Sequence, residues 1–306
     1  MTDALIFGAR GQDGRLLSEY LESRGISVLG ASRTAGALTI GLKQYKCIKI
    51  DYTNHIDLIQ ILKKYKPKYI FNFAGNSSVG YSFRNPFESQ NSFLMPLHSV
   101  LEALRHSEIE ARLFVANSGE VFGNTATAKI GDAFSPKSPY AAARSYGADL
   151  CSMYRDLYEL QITTGFLFPH ESLYRDQSFF LPKLVSELKS IRTGKKRIAN
   201  FGNLNVIRDF SWAPDFMDGF FKAMTTKKVG DFIFASGVGV SLLGITNYLL
   251  KELDLDPSCV QSDHPKFIRN RDLKISVGNP SDTFHKLDWA PSVGWQDIVQ
   301  RYLNES

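Results

Sequence analysis

Seven short apolar runs punctuate this chain, and most of the stretches between them carry apolar residues at helical spacing. ALIF (4–7), ISVLGA (26–31), CIKI (47–50), YIFNFA (69–74), RLFVAN (112–117), ITTGFLF (162–168) and DFIFAS (231–236) read as buried strands. Residues 13–24, 56–65 and 93–106 read as helices between the first five, and a long helix near 139–159 precedes the sixth. Strands that alternate with helices need crossover connections, and so form a parallel sheet covered on both faces. The fold class expected is α/β, a doubly wound parallel sheet. Beyond residue 168 the regularity breaks, and helices are expected near 182–192, 215–226, 242–253, 280–287 and 295–304. That portion reads as a smaller C-terminal α/β lobe packed on the sheet.

The first strand runs directly into FGARGQDG, which sets Gly8, Gly11 and Gly14 between strand and helix. Glycines there permit a tight turn and close backbone approach, while the helix N-terminus offers N–H groups to a pyrophosphate. This is the Rossmann arrangement for a dinucleotide. A purely structural turn is the other reading. The end of the second strand reads Ala31-Ser32-Arg33, with no acid to bind ribose hydroxyls. Arg33 can neutralise a 2′-phosphate, so NADP is expected over NAD, unless Arg33 is only a solvated loop residue. Asp51 follows the third strand, placed either to meet the adenine edge or to cap a turn.

Charge and cysteine usage narrow the partners. Basic residues outnumber acidic ones 36 to 31, for a net charge of +5. The largest basic cluster, KSIRTGKKR (189–197), has no interleaved aromatics and belongs to no nucleic-acid module, so an anionic small molecule fits better than nucleic acid. No apolar run is long enough to span a membrane, and the start MTDALIFGARGQDGR does not read as a signal peptide. Cys47, Cys151 and Cys259 are widely spaced and suggest reduced thiols in a cytoplasmic protein. No metal-ligand spacing is present, and no metal is expected.

The fifth strand ends in NSGEVFG (117–123), and SPYAAAR (138–144) opens the next helix. A hydroxyl at a strand end, a tyrosine on the following helix and a cation four residues further on are the working parts of a short-chain dehydrogenase/reductase. With ALIFGARGQDGRLLSEYL, IFNFAGNSSVGYSF, LFPHES, FGNLNVIRDF and IRNRDLKISVGNPS, the chain resembles GDP-mannose 4,6-dehydratase and its relatives over nearly its whole length. These are extended short-chain enzymes that modify nucleotide sugars.

The resemblance implies a dinucleotide domain over residues 1–167, with 205–236 returning to it, and a sugar-nucleotide lobe over 168–204 and 237–306. It implies that Ser118 is the active-site hydroxyl, Tyr140 the acid/base, Arg144 the cation in the family's lysine position, and Glu120 the carboxylate that takes the C5 proton. For the cofactor it implies Gly8, Gly11, Gln12, Asp13, Gly14, Arg33, Asp51 and Tyr52, then Phe73, Ala74, Gly75 and His170, together with Tyr140 and Arg144. For the substrate it implies Ser78, Val79, Ser118, Glu120, Glu171 and Ser172, then Lys183, Asn203, Arg208, Arg269 and Asp272. His170 has a satisfied core histidine as its alternative, and Glu120 a plain loop carboxylate.

Three departures from the family stand out. Thr-Ser-Glu becomes Ser118-Gly119-Glu120, the Asn before His-Glu-Ser becomes Pro169, and Lys becomes Arg144. The segment after Arg33 also lacks the second arginine that helps tetramers form, so a homodimer through two helices per subunit is expected. The expected activity is an NADP-dependent 4,6-dehydratase acting on a GDP-sugar. A 4-keto-sugar reductase or epimerase on the same scaffold, or a catalytically weakened binding homologue, is the alternative.

Overall fold

The computed structural model describes residues 2–40, 43–267 and 272–305. All seven apolar runs enter one sheet, as β1 (Ala4–Phe7), β2 (Val28–Ser32), β3 (Cys47–Lys49), β4 (Tyr69–Asn72), β5 (Arg112–Ser118), β6 (Ile162–Leu167) and β7 (Asp231–Phe234). Their spatial order is β7-β6-β5-β4-β1-β2-β3, with every pair parallel. The winding reverses between β1 and β4. In an open α/β sheet a ligand crevice lies outside the strand ends at that point.

The helices are α1 (Gln12–Glu22), α2 (His55–Tyr65), α3 (Val79–Arg84), α4 (Pro86–Ser107), α5 (Pro139–Tyr158), α6 (Phe180–Arg192), α7 (Ala213–Thr225), α8 (Leu242–Glu252), α9 (Ser281–Leu287) and α10 (Trp295–Glu305). Alternation along each strand divides its side chains between two cores. Ala4, Ile6, Phe114 and Ala116 face α1 and α7, where Phe114, Phe220 and Phe234 stack at 4.7 to 6.1 Å between ring centroids. Leu5, Phe7, Leu113 and Val115 face α2, α4 and α5.

Some elements are longer or newer than the sequence pattern suggests. Helix α4 begins at Pro86, not near 93, because its first two turns are mostly polar and place their one large apolar side chain, Phe87, in solvent, so they carry no apolar period. Strands Leu38–Ile40 and Lys43–Tyr45 pair antiparallel between β2 and β3, and bury Leu38, Ile40 and Tyr45 in the first core.

The smaller lobe has its own core, from Leu184 and Leu188 of α6, Leu249 of α8, Ile298 and Val299 of α10, and Trp212. Beside it lies a four-stranded sheet in the order Gly239–Ser241, Ile207–Asp209, Ile275–Gly278, Thr125–Ala128. Within 205–236, therefore, Ile207–Asp209 stays with the small sheet, while α7 and β7 go back to the large one. Leu287 and Trp289 from the tail also pack into the first core, where Trp289 meets Phe216 edge-on. Packing, not a linker, draws the boundary. No helix among the described residues is long and apolar enough to cross a membrane.

Candidate active site

Two positions around the turn after β1 require glycine. Gly8 sits at φ +78°, and a Cβ there would lie 2.9 Å from the Phe73 carbonyl carbon. A Cβ on Gly14 would lie 2.5 Å from the Gly8 oxygen. Gly11 is the N-cap of α1, and no side chain caps that helix, which leaves its first N–H groups and positive dipole end for an anion. A bare backbone cradle at a helix start fits a dinucleotide pyrophosphate.

Around that cradle, Tyr52 lies edge-on to Phe7 at 5.9 Å. Phe73 packs its ring on Phe71, Phe114 and Phe220, Ala74 is buried, and Gly75 adopts φ +129°. Arg33 is exposed just beyond β2. Asp51 is exposed beyond β3 and accepts from the Thr53 N–H at 2.9 Å and hydroxyl at 2.7 Å, bonds that hold its carboxyl below the usual range. A second arginine, which the sequence reading passed over, stands here too. Arg10, inside the glycine motif, donates to Ser32 Oγ at 3.2 Å and to the carbonyls of Ala35 and Gly36 at 3.3 Å.

A cleft of about 2010 Å³ opens from Gly11, Gln12 and Asp13 across the strand ends to the small lobe. That is more than one small ligand needs, and suits a dinucleotide beside a nucleotide sugar. Ser118, Glu120, Tyr140 and Arg144 all line it. SPYAAAR explains how. Ser138 caps α5 by accepting from Ala141 N–H at 3.0 Å, and Pro139 follows at the first helical position. The cap fixes Tyr140 in the first turn, one turn before Arg144 on the same face.

Ser118 Oγ accepts from Glu120 N–H at 3.2 Å, which sets the turn that carries Glu120 into the cleft. Asn117 does more than end β5: its Nδ2 donates to the Arg144 carbonyl at 3.0 Å, and its Oδ1 accepts from Ser118 N–H at 2.7 Å. One amide thus fixes the strand end against α5.

The nucleotide and sugar motifs are tied to each other. His170 lies with Nε2 3.0 Å from Asp13 Oδ1 and Nδ1 2.7 Å from the Phe168 carbonyl. Gln12 Nε2 donates to the His170 carbonyl at 3.1 Å, and Ser172 Oγ donates to Gln12 Oε1 at 2.9 Å. Burial works against the Asp13 carboxylate, yet His170, with help from Gln12 and Arg175, holds it below the ordinary value.

On the substrate side, Ser78 caps α3, and Ser78 and Val79 line the cleft. Buried Glu171 lies 3.7 Å from Arg175 Nε, and the Tyr302 hydroxyl reaches both Glu171 Oε2 (3.1 Å) and the Ser172 carbonyl (2.7 Å). Lys183 sits over the Phe267 ring at 3.6 Å. Asn203 accepts from Asn205 N–H, and Arg208 donates to Asp272 at 2.8 Å; Lys183, Asn203, Arg208 and Asp272 all line the cleft. Lys189 and Lys195 of the basic run join them, and Arg269 lies outside the described residues. Among the described residues, no group of three acidic, His or Cys side chains could hold a metal ion.

A family model described as GDP-mannose 4,6 dehydratase matches residues 5–302. The chain belongs to that family. It is similar to the GDP-mannose 4,6-dehydratase of Vibrio cholerae, at 26% identity over 99% of this chain and 93% of that one. Among solved structures it is similar to DesIV, a dTDP-glucose 4,6-dehydratase from Streptomyces venezuelae with NAD and TYD bound (TM-score 0.87, 16% identity, 99% and 98% covered). It is also similar to RMD from Pseudomonas aeruginosa, complexed with NADPH (TM-score 0.83, 17% identity, 99% and 98% covered). These structures carry the fold.

Set within this family, two of the departures have local causes. Pro169 sits within a bonded stretch: the preceding Phe168 N–H donates to the Phe234 carbonyl, and the Pro169 carbonyl accepts from the Ser211 N–H. Arg144 is 5% exposed and donates from Nη1 to the Ala116 carbonyl at 2.6 Å. Burial pulls its pKa below the ordinary arginine value, and Tyr140 works the other way.

Proposed function

We propose that this chain is a nucleotide-sugar 4,6-dehydratase that uses NADP on a GDP-sugar and works as a homodimer. The observation that carries the reading is the joint placement of Ser118, Glu120, Tyr140 and Arg144 in one cleft, next to a turn in which Gly8 and Gly14 admit no side chain. A nicotinamide, when bound, supplies hydride acceptance from C4 and its return at C6.

The chain's own residues do the rest. Tyr140 takes the proton of the C4 hydroxyl, with Ser118 orienting that oxygen. The 4-keto group acidifies C5–H, and Glu120 removes that proton and hands it to the departing C6 hydroxyl, which leaves as water. Arg144 sets its guanidinium 5.0 Å from the Tyr140 ring, where its positive charge faces the charge that develops as the proton moves.

Arg33, Arg10 and the lack of an acid at the end of β2 support NADP. Family membership supports the GDP-sugar. Exposed Met95 on α4 and Tyr146, Met153 and Leu157 on α5 support a two-helix dimer face. Cysteines that are free in this fold suit a cytoplasmic setting.

The test is turnover of GDP-mannose to a 4-keto-6-deoxy product in deuterated water. Deuterium should appear at C5, and Glu120→Gln should abolish both product and label while bound NADP is retained. Tyr140→Phe should lose nearly all turnover. NADPH-dependent reduction of a 4-keto sugar, with no dehydration, would move the chain to the reductase class.

A further inference from the structure

An arginine in the lysine position needs its planar group held at one angle, and the structure contains a surface for that. The Arg144 guanidinium carbon lies 3.8 Å from the Phe93 ring centroid and 5.0 Å from that of Tyr140. We propose that Phe93 is a positioning residue, whose ring fixes the plane of Arg144 so that an arginine serves beside Tyr140. This rests on the reading of Tyr140 as the acid/base.

Phe93 is 2% exposed in the core under α4 and does not line the cleft, so it acts through Arg144 and not on substrate. The ring holds the face of the guanidinium, while the Ala116 carbonyl holds one edge. Nη2 reaches the Asn76 carbonyl at 3.5 Å and buried Nε has no hydrogen-bond partner among the described residues, so two carbonyls hold the edge of the group and the ring sets its plane. Stacking of this kind favours a planar delocalised cation over a compact ammonium on a flexible stem.

The seat is shaped for the ring. A Cβ on Gly147 of α5 would lie 2.6 Å from Phe93 Cε1, and one on Gly75 would lie 3.2 Å from Phe93 Cβ. Gly147 lacks a side chain where the phenyl stands, and Gly75 lacks one where the Phe93 Cβ leaves its helix. Phe93, Gly147 and Arg144 therefore read as one matched set across α4 and α5.

A double-mutant cycle separates this role from ordinary core packing. In the Arg144 protein, Phe93→Leu should lower kcat about tenfold while KM changes less than about twofold. In the Arg144→Lys protein the same substitution should cost less than about twofold, because lysine gains little from a flat support. Equal losses in both backgrounds would overturn the proposal and leave Phe93 a core residue. NADP(H) affinity is titrated by fluorescence across the same four proteins. If the parent turns over no nucleotide sugar, the dehydratase reading fails, and the cycle is then decided by these affinities: unequal losses support the pairing, and equal ones sink it. Should Phe93→Leu unfold below assay temperature, Phe93→Met keeps the bulk, removes the face and takes its place.

Discussion

The ring of Phe168 fills the space that a side chain at position 119 would need: a Cβ on Gly119 would stand 2.6 Å from two of its carbons. Phe168 is 1% exposed, and a Cβ on Gly278 would also lie 2.9 Å from its ring, so glycines flank that ring on two sides. The glycine that looks like decay of the family's Thr-Ser-Glu is therefore a packing solution. Gly119→Ser should destabilise the protein by about 1–3 kcal/mol through overpacking. In a Phe168→Leu background the added cost of Gly119→Ser should shrink by more than half. Thermal unfolding of the four proteins measures this, and additive losses would show that the two positions do not compete.

Cofactor choice follows from the ends of β2 and the glycine turn. Arg33 is exposed just beyond β2, and Arg10 braces the same loop through Ser32, Ala35 and Gly36. Calorimetry should give at least about tenfold tighter binding of NADPH than NADH, the value of roughly one charge-assisted contact. Arg33→Asp should reverse the order. Arg10→Ala should weaken both cofactors, because it loosens the loop, and NADPH more. Equal affinities in the parent would defeat the NADP assignment.

Stability in acid should report the Asp13–His170 contact. The Asp13 carboxyl is held below its ordinary value of 3.8, so the folded state binds fewer protons there than the unfolded one. Its contribution is complete above that value and is lost as the pH falls through the lower, folded one. Asp13→Asn should narrow its stability gap to the parent as pH drops below 3.8. Urea unfolding across the acid range checks the sign. A gap that stays constant with pH would mean that the charge on Asp13 adds nothing.

Much of this was legible because the signals are local. Short apolar runs such as RLFVAN, set between helical stretches, read as interior strands of a covered sheet, and SPY carries both the cap and the first-turn proline that place Tyr140. What stayed hidden depends on distant pairs. Nothing within FRNPFESQNSF shows that Phe93 will meet Arg144, and nothing within NSGE shows that Asn117 will hold the α5 backbone. The lobe boundary was blurred for the same reason, since Trp289 returns to Phe216 across a long stretch of chain.

The exposed face shared by α4 and α5 gives the last expectation. Tyr146, Met153 and Leu157 are 49%, 43% and 66% exposed and fall at helical spacing on one side of α5. Met95 of α4 is 44% exposed, and His98 stacks on Tyr146 to join the two helices. A cluster of large apolar side chains on two packed helices is what a self-complementary two-fold contact uses. The cation-bearing end of α5 lies on the same helix, so pairing there would also stiffen the platform under Tyr140. Light scattering after gel filtration should give twice the chain mass for the parent. Met153→Glu with Leu157→Glu should give a monomer, because two buried carboxylates without partners cannot be accommodated at a dry interface. A parent that runs as a monomer, or a dimer that survives both charges, would place the contact elsewhere or remove it.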